Sequence, residues 1–205
     1  MTKIKICGIK TLADALAAID AGADYLGFNF YPKSVRFIEM ETCAQITSVL
    51  KREHPNIKLV GVFVNSSVDE VKNVLETCCL DLAQLHGDES PEMFAQLVPR
   101  AFKAFRGIPI DVTGYEREDM PALLVDAAAK GVYGGSGVTA DWSAAAELGK
   151  QYSLLLAGGL TPENVADAVR QVRPWGVDVA SGVEAGPGEK DPSKVKVFVQ
   201  AVHGA

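Results

Sequence analysis

Short apolar runs alternate with amphipathic stretches along the chain. The runs at 3–7, 25–29, 59–64, 82–86, 102–105, 123–126, 154–157 and 177–180 have strand length. Between them, the stretches at 11–21, 41–52, 67–77, 91–97, 143–152, 162–172 and 192–203 repeat apolar residues at helical spacing. Three of these open on a capping residue followed by proline, at Ser90-Pro91, Thr161-Pro162 and Asp191-Pro192, which marks a helix start. The segment from Ile108 to Met120 is the weak link, with Pro, Gly and little periodicity, and predicts a degenerate helix after strand five. Each crossover helix returns the chain in the same direction, so the alternation demands a parallel sheet. Eight such units in 205 residues predict a single α/β domain over residues 1–205, a (β/α)8 barrel with short loops.

That architecture gathers chemistry at the C-terminal ends of the strands. Read off in order, those ends are Cys7, Asn29, Asn65, His86, Arg106, Asp126, Gly158-Gly159 and Ser181-Gly182. Turn formers belong there in any fold, so Asn65, Gly158 and Ser181 say little singly. Cys7, His86 and Asp126 are harder to explain as turn chemistry. A cysteine closing a buried strand is ordinarily structural; at a barrel mouth it is also a candidate base or nucleophile. Two glycines after strand seven and a Ser-Gly after strand eight let backbone N–H groups converge on an anion. No such pair follows strand three, where the chain reads Val64-Asn65-Ser66-Ser67, so the expected ligand carries one phosphate.

Two longer loops remain. The first, Phe30 to Ile38, brings Lys33 and Arg36 with aromatic residues to the mouth. It reads either as a solvated loop or as a place where Arg36 holds a carboxylate bidentately beside an aromatic ring. The second runs from Ala127 to Trp142 and contains Gly134-Gly135-Ser136-Gly137; it reads either as a lid, with Gly135 and Ser136 as substrate-binding candidates, or as plain disorder.

Composition narrows the class. A net charge of −6 with scattered Lys and Arg argues against nucleic acid or an anionic membrane as partner. Cys7, Cys43, Cys78 and Cys79 sit at no metal-ligand spacing and read as reduced thiols. The start of the chain has no basic segment leading into a long apolar one, so the expected location is the cytoplasm. The outer helices show no single long apolar stripe, which leaves monomer and homodimer open.

The motifs KICGI, FYPKSVR, GVFVN, QLHGDE, LLVDA followed by GGSG and ADW, LAGGL-TPENV and VDVASGVE occur in this order over nearly the whole chain. In this the chain resembles the phosphoribosylanthranilate isomerases of tryptophan biosynthesis. The resemblance implies a (β/α)8 barrel that catalyses an Amadori rearrangement without metal or cofactor. It assigns Cys7 as general base, Asp126 as general acid and Arg36 as the anthranilate carboxylate ligand. Ser136 and Val138 depart from the residues common in that loop.

The residues themselves fit this chemistry. A partly desolvated carboxylic acid, Asp126, can protonate a ribose ring oxygen, and a thiolate can take the proton from C2. A free thiol titrates above neutrality, so a neighbour must favour its ionised form. Period-2 alternation offers a candidate: with Cys7 pointing inward, Lys5 does too, one layer below, and either pairs with the inward Asp178 of neighbouring strand eight or snorkels to the bottom rim. Three other readings compete. A metal-dependent epimerase needs several His and Asp ligands, and only His86 of the three histidines lies at a strand end. Indole-glycerol-phosphate synthase relies on lysines at the mouth, whereas strand three here ends in Asn65. A non-catalytic phosphate-binding barrel would have lost Cys7 or Asp126.

Overall fold

The computed structural model describes residues 1–117, 121–127 and 142–205. Eight parallel strands close into a barrel in sequence order: β1 (Lys3–Cys7), β2 (Tyr25–Asn29), β3 (Lys58–Phe63), β4 (Leu82–Leu85), β5 (Ala101–Arg106), β6 (Leu123–Asp126), β7 (Leu154–Ala157) and β8 (Gly176–Val179). The helices α1 (Leu12–Ala21), α2 (Met40–Glu53), α3 (Val68–Thr77), α4 (Pro91–Ala95), α5 (Trp142–Gly149), α6 (Val165–Val172) and α7 (Pro192–His203) flank it. Closure is made by β1 against β8, with Lys5 opposite Asp178.

Strand alternation divides the apolar side chains into two cores. Val60, Phe102, Ala104, Leu124, Leu155 and Ala157 fill the lumen, while the other phase, including Ile4, Ile6, Leu59, Leu85, Val125 and Leu156, packs under the helices. In β1 the inward phase is Lys5 and Cys7. A fully buried lysine therefore sits where a branched aliphatic residue is usual.

Two of the three proline-marked starts cap as expected. The Ser90 hydroxyl accepts from the Met93 N–H at 3.3 Å, and Asp191 accepts from Ser193 and Lys194. The third differs: α6 begins at Val165, with Asn164 as its N-cap. The Asn164 side chain accepts from Thr161 N–H at 2.8 Å and donates to Gly159 O at 2.9 Å, pinning a turn where the helix was expected.

After β5, the described residues of the weak segment contain no helix. Asp111 accepts from the Thr113 N–H, Gly114 takes φ +84°, and Tyr115 fills the space by packing on Phe94 and Phe105. Beyond β8 the chain adds elements that the alternation does not predict. A 3-10 turn (Ser181–Val183) leads into an antiparallel hairpin of β9 (Glu184–Gly186) and β10 (Glu189–Lys190).

Candidate active site

Cys7 ends β1 and is 8 % exposed. Directly beneath it the Lys5 ammonium donates to Asp178 Oδ1 at 2.7 Å and lies within electrostatic reach of the Cys7 sulfur. Gly27, opposite Cys7 in β2, makes room: a Cβ there would lie 2.8 Å from Cys7 Sγ and 3.0 Å from Lys5 Nζ. Burial pushes the Cys7 thiol above its ordinary pKa; Lys5 pulls it down and Asp178 pushes it up again. The pair that strand phase allows is therefore present, yet it leaves the resting thiol protonated. Burial alone would discharge the Lys5 ammonium, but Asp178 outweighs it, so Lys5 stays charged with its pKa raised.

Arg36 reaches the same thiol from above. Gly8 takes φ +81°, and a Cβ there would lie 2.5 Å from Arg36 Cδ, so glycine is what lets the arginine stem cross the end of β1. The guanidinium is held bidentately by Glu184, Nε to Oε1 at 2.7 Å and Nη2 to Oε2 at 2.8 Å. Glu184 also accepts from Lys190 at 2.8 Å, and Lys190 donates to Ala180 O. Burial alone would raise the Glu184 pKa, but these two cations hold it below the ordinary range. Glu184 and Lys190, which hold Arg36 in place, are not singled out by sequence reasoning. Glu184 closes the VASGVE motif, but only the β9–β10 hairpin turns it back beneath Arg36.

His86 follows β4, with Nδ1 3.0 Å from the Gln84 amide nitrogen. Burial lowers the His86 pKa against the opposing pull of Asp126 and Asp178, and the ring is neutral at neutral pH. Asp126 ends β6, in register with Arg106 and Ala157. The ring thus lies within electrostatic reach of Asp126 on one side and of Lys5 and Asp178 on the other.

The loops after β7 and β8 meet. Gly158 and Gly159 take φ +101° and +65°, conformations that L side chains rarely adopt. A Cβ on Gly182 would collide with the Leu160 carbonyl oxygen. Ser181 and Gly182 therefore sit against the Gly158-Gly159 turn. Of the expected site residues, Cys7, Arg36, His86, Asp126, Gly158, Gly159, Ser181 and Gly182 all lie at this one end of the barrel. Gly135, Ser136 and Val138 lie outside the described residues. Among the described residues, no group of three or more His, Cys, Asp or Glu is placed to hold a metal, and no helix is long and apolar enough to cross a membrane.

Residues 4–201 match the family model described as N-(5'phosphoribosyl)anthranilate (PRA) isomerase. The chain is 47 % identical over 207 residues to the N-(5'-phosphoribosyl)anthranilate isomerase of Geotalea uraniireducens, covering 100 % of both. Its structure is similar to that of phosphoribosyl anthranilate isomerase from Thermotoga maritima, with TM-score 0.88, 38 % identity and full coverage of both chains. It is also similar, at TM-score 0.82, 34 % identity and full coverage of both, to such an isomerase in complex with reduced 1-(o-carboxyphenylamino)-1-deoxyribulose 5-phosphate.

Proposed function

The chain belongs to the N-(5'-phosphoribosyl)anthranilate isomerase family, and we propose that Cys7 and Asp126 are the base and acid of its reaction. That reaction is the Amadori rearrangement of N-(5-phosphoribosyl)anthranilate to 1-(2-carboxyphenylamino)-1-deoxyribulose 5-phosphate, an aldose–ketose isomerisation in tryptophan biosynthesis. Asp126 protonates the ribose ring oxygen while the anthranilate nitrogen pushes in, which opens the ring to an iminium. The Cys7 thiolate then takes the C2 proton, and the resulting enolamine tautomerises to the ketone. The observation that carries this reading is the thiol ending β1 with the Lys5 ammonium against its sulfur, at the same end of the barrel as Asp126.

The other groups position the substrate. Arg36, its Nε edge and Nη2 fixed by Glu184, offers its Nη1 end to the anthranilate carboxylate. His86 faces the sugar as a neutral imidazole, without supplying net charge. Backbone N–H groups around Gly158, Gly159, Ser181 and Gly182 take the single phosphate. Four free cysteines support a reducing, cytoplasmic setting.

A turnover assay with substrate generated from anthranilate and phosphoribosyl pyrophosphate tests the acid. A folded Asp126→Asn variant is expected to lose about a thousandfold or more in kcat, near the upper part of what one proton transfer supplies. Retained turnover removes Asp126 from the role.

A further inference from the structure

The inner wall beneath the thiol holds one cation shared by two potential anions. Lys5 Nζ lies 2.7 Å from Asp178 Oδ1, and a Cβ on Gly27 would touch both Lys5 Nζ, at 3.0 Å, and Cys7 Sγ, at 2.8 Å, so ammonium and sulfur border one small space. The ammonium is fully buried and the Asp178 side chain is 10 % exposed, so water does little to screen either from the sulfur. Gly27 keeps the third wall free of any side chain. Among the described residues, the other charged or titratable groups facing this cluster are Arg36 from the loop after β2, Lys190 from β10, with Glu184 bridging these two, and neutral His86 from the loop after β4.

A buried ammonium between a carboxylate and a thiol cannot serve both fully. We propose that Lys5 and Asp178 are opposed positioning residues for Cys7: the ammonium stabilises the thiolate, and the carboxylate draws the ammonium away and holds the thiol protonated until its proton is released to solvent. The pair therefore works as an adjustable counter-ion as well as a filler of the lumen. This rests on the reading of Cys7 as base, and it gives the two partners opposite effects on the same group. A purely structural ion pair has no reason to do so, because removing either partner of such a pair only destabilises.

The test is a pH titration of the ultraviolet thiolate absorbance of the intact protein, taken as the difference from Cys7→Ser. It is run on wild type, Lys5→Met, Asp178→Asn and the double variant Lys5→Met with Asp178→Leu. In Lys5→Met the midpoint moves up by about one pH unit or more, and in Asp178→Asn it moves down by a similar amount. The double variant, which replaces the pair by apolar side chains that pack without an orphaned charge, has a midpoint above wild type and at or below that of Lys5→Met. The kcat/KM of Lys5→Met falls about tenfold or more at neutral pH, in step with a smaller thiolate fraction, and recovers as the pH is raised. Should Asp178→Asn fail to fold, the order of the other three midpoints still decides.

Coincident midpoints, a rise in Asp178→Asn, or a double variant with the wild-type midpoint overturns the proposal. These outcomes are separate from failure of the base assignment. An active Cys7→Ser enzyme removes Cys7 as base without altering the titration, whereas an inactive one with unmoved midpoints removes only the counter-ion role.

Discussion

Two of the buried lysine–carboxylate pairs, Lys103 with Glu89 and Lys5 with Asp178, are equally short at 2.7 Å, and their surroundings differ. Lys103 donates to Glu89 Oε2 at 2.7 Å and to Gly87 O at 2.6 Å, while Glu89 accepts from the Asn65 and Gly87 N–H groups as well. The Tyr115 hydroxyl adds a bond to Glu89 O. Every partner of that pair is a non-titrating backbone group or the other ion, so it clamps the loops after β3, β4 and β5 in one arrangement. Lys5 has the same bond to Asp178, but its other partner is a thiol whose proton comes and goes. Burial and bond length therefore do not tell a clamp from a tuning device. What tells them apart is whether the remaining partner can change its charge.

The largest expected effect breaks the clamp. Lys103→Met leaves the Glu89 carboxylate buried without its cation and is expected to cost about 3–5 kcal/mol in urea denaturation, with kcat per folded molecule unchanged. A comparable loss of kcat with full stability would merge the two pairs into one class.

A third pair, Arg36 with Glu184, is expected to behave as part of the site. Arg36→Lys keeps the charge but loses the planar fork, and KM is expected to rise about tenfold or more while kcat is largely kept. An unchanged KM would make this pair a second clamp. Gly182→Ala drives a methyl into the Leu160 carbonyl and parts the two glycine loops. Inhibition by inorganic phosphate should weaken by several-fold; unchanged inhibition would place the phosphate elsewhere.

The smallest effect concerns His86. Its folded pKa lies below the unfolded one, so between the two values the unfolded chain binds a proton that the native state does not. The His86 contribution to stability is therefore complete above the unfolded value of about 6.5 and is lost as the pH falls through the lower folded value. His86→Asn should flatten that limb of an acid denaturation series; an unchanged slope would assign it to other groups.

Much of this is legible in the sequence because the barrel makes strand phase informative. Cys7, Lys5 and Asp178 come from counting in twos, since one-residue alternation places all three in the lumen and closure sets β1 beside β8. The clamp also leaves a sign, a lysine in the middle of the apolar run Phe102-Lys103-Ala104-Phe105, which strand patterning alone does not assign to a partner. Glu184 and Lys190 are not legible, because their placement depends on a three-dimensional return of the chain after β8 that no periodicity encodes. The start of α6 shifts because the Asn164 side chain ties Thr161 N–H to Gly159 O and holds the preceding residues as a turn, while the helix itself begins without a side-chain cap. The weak segment after β5 reads as a degenerate helix; its described residues form turns with Tyr115 packed on Phe94 and Phe105, a tertiary contact that local propensity cannot anticipate.

The central claim is that the thiol at the end of β1 removes the C2 proton. The most direct measurement is kcat for a folded Cys7→Ala variant in the same turnover assay. A loss of about a thousandfold or more with circular dichroism unchanged is the predicted result; a kcat within about tenfold of wild type, below the usual yield of one proton transfer, would contradict it.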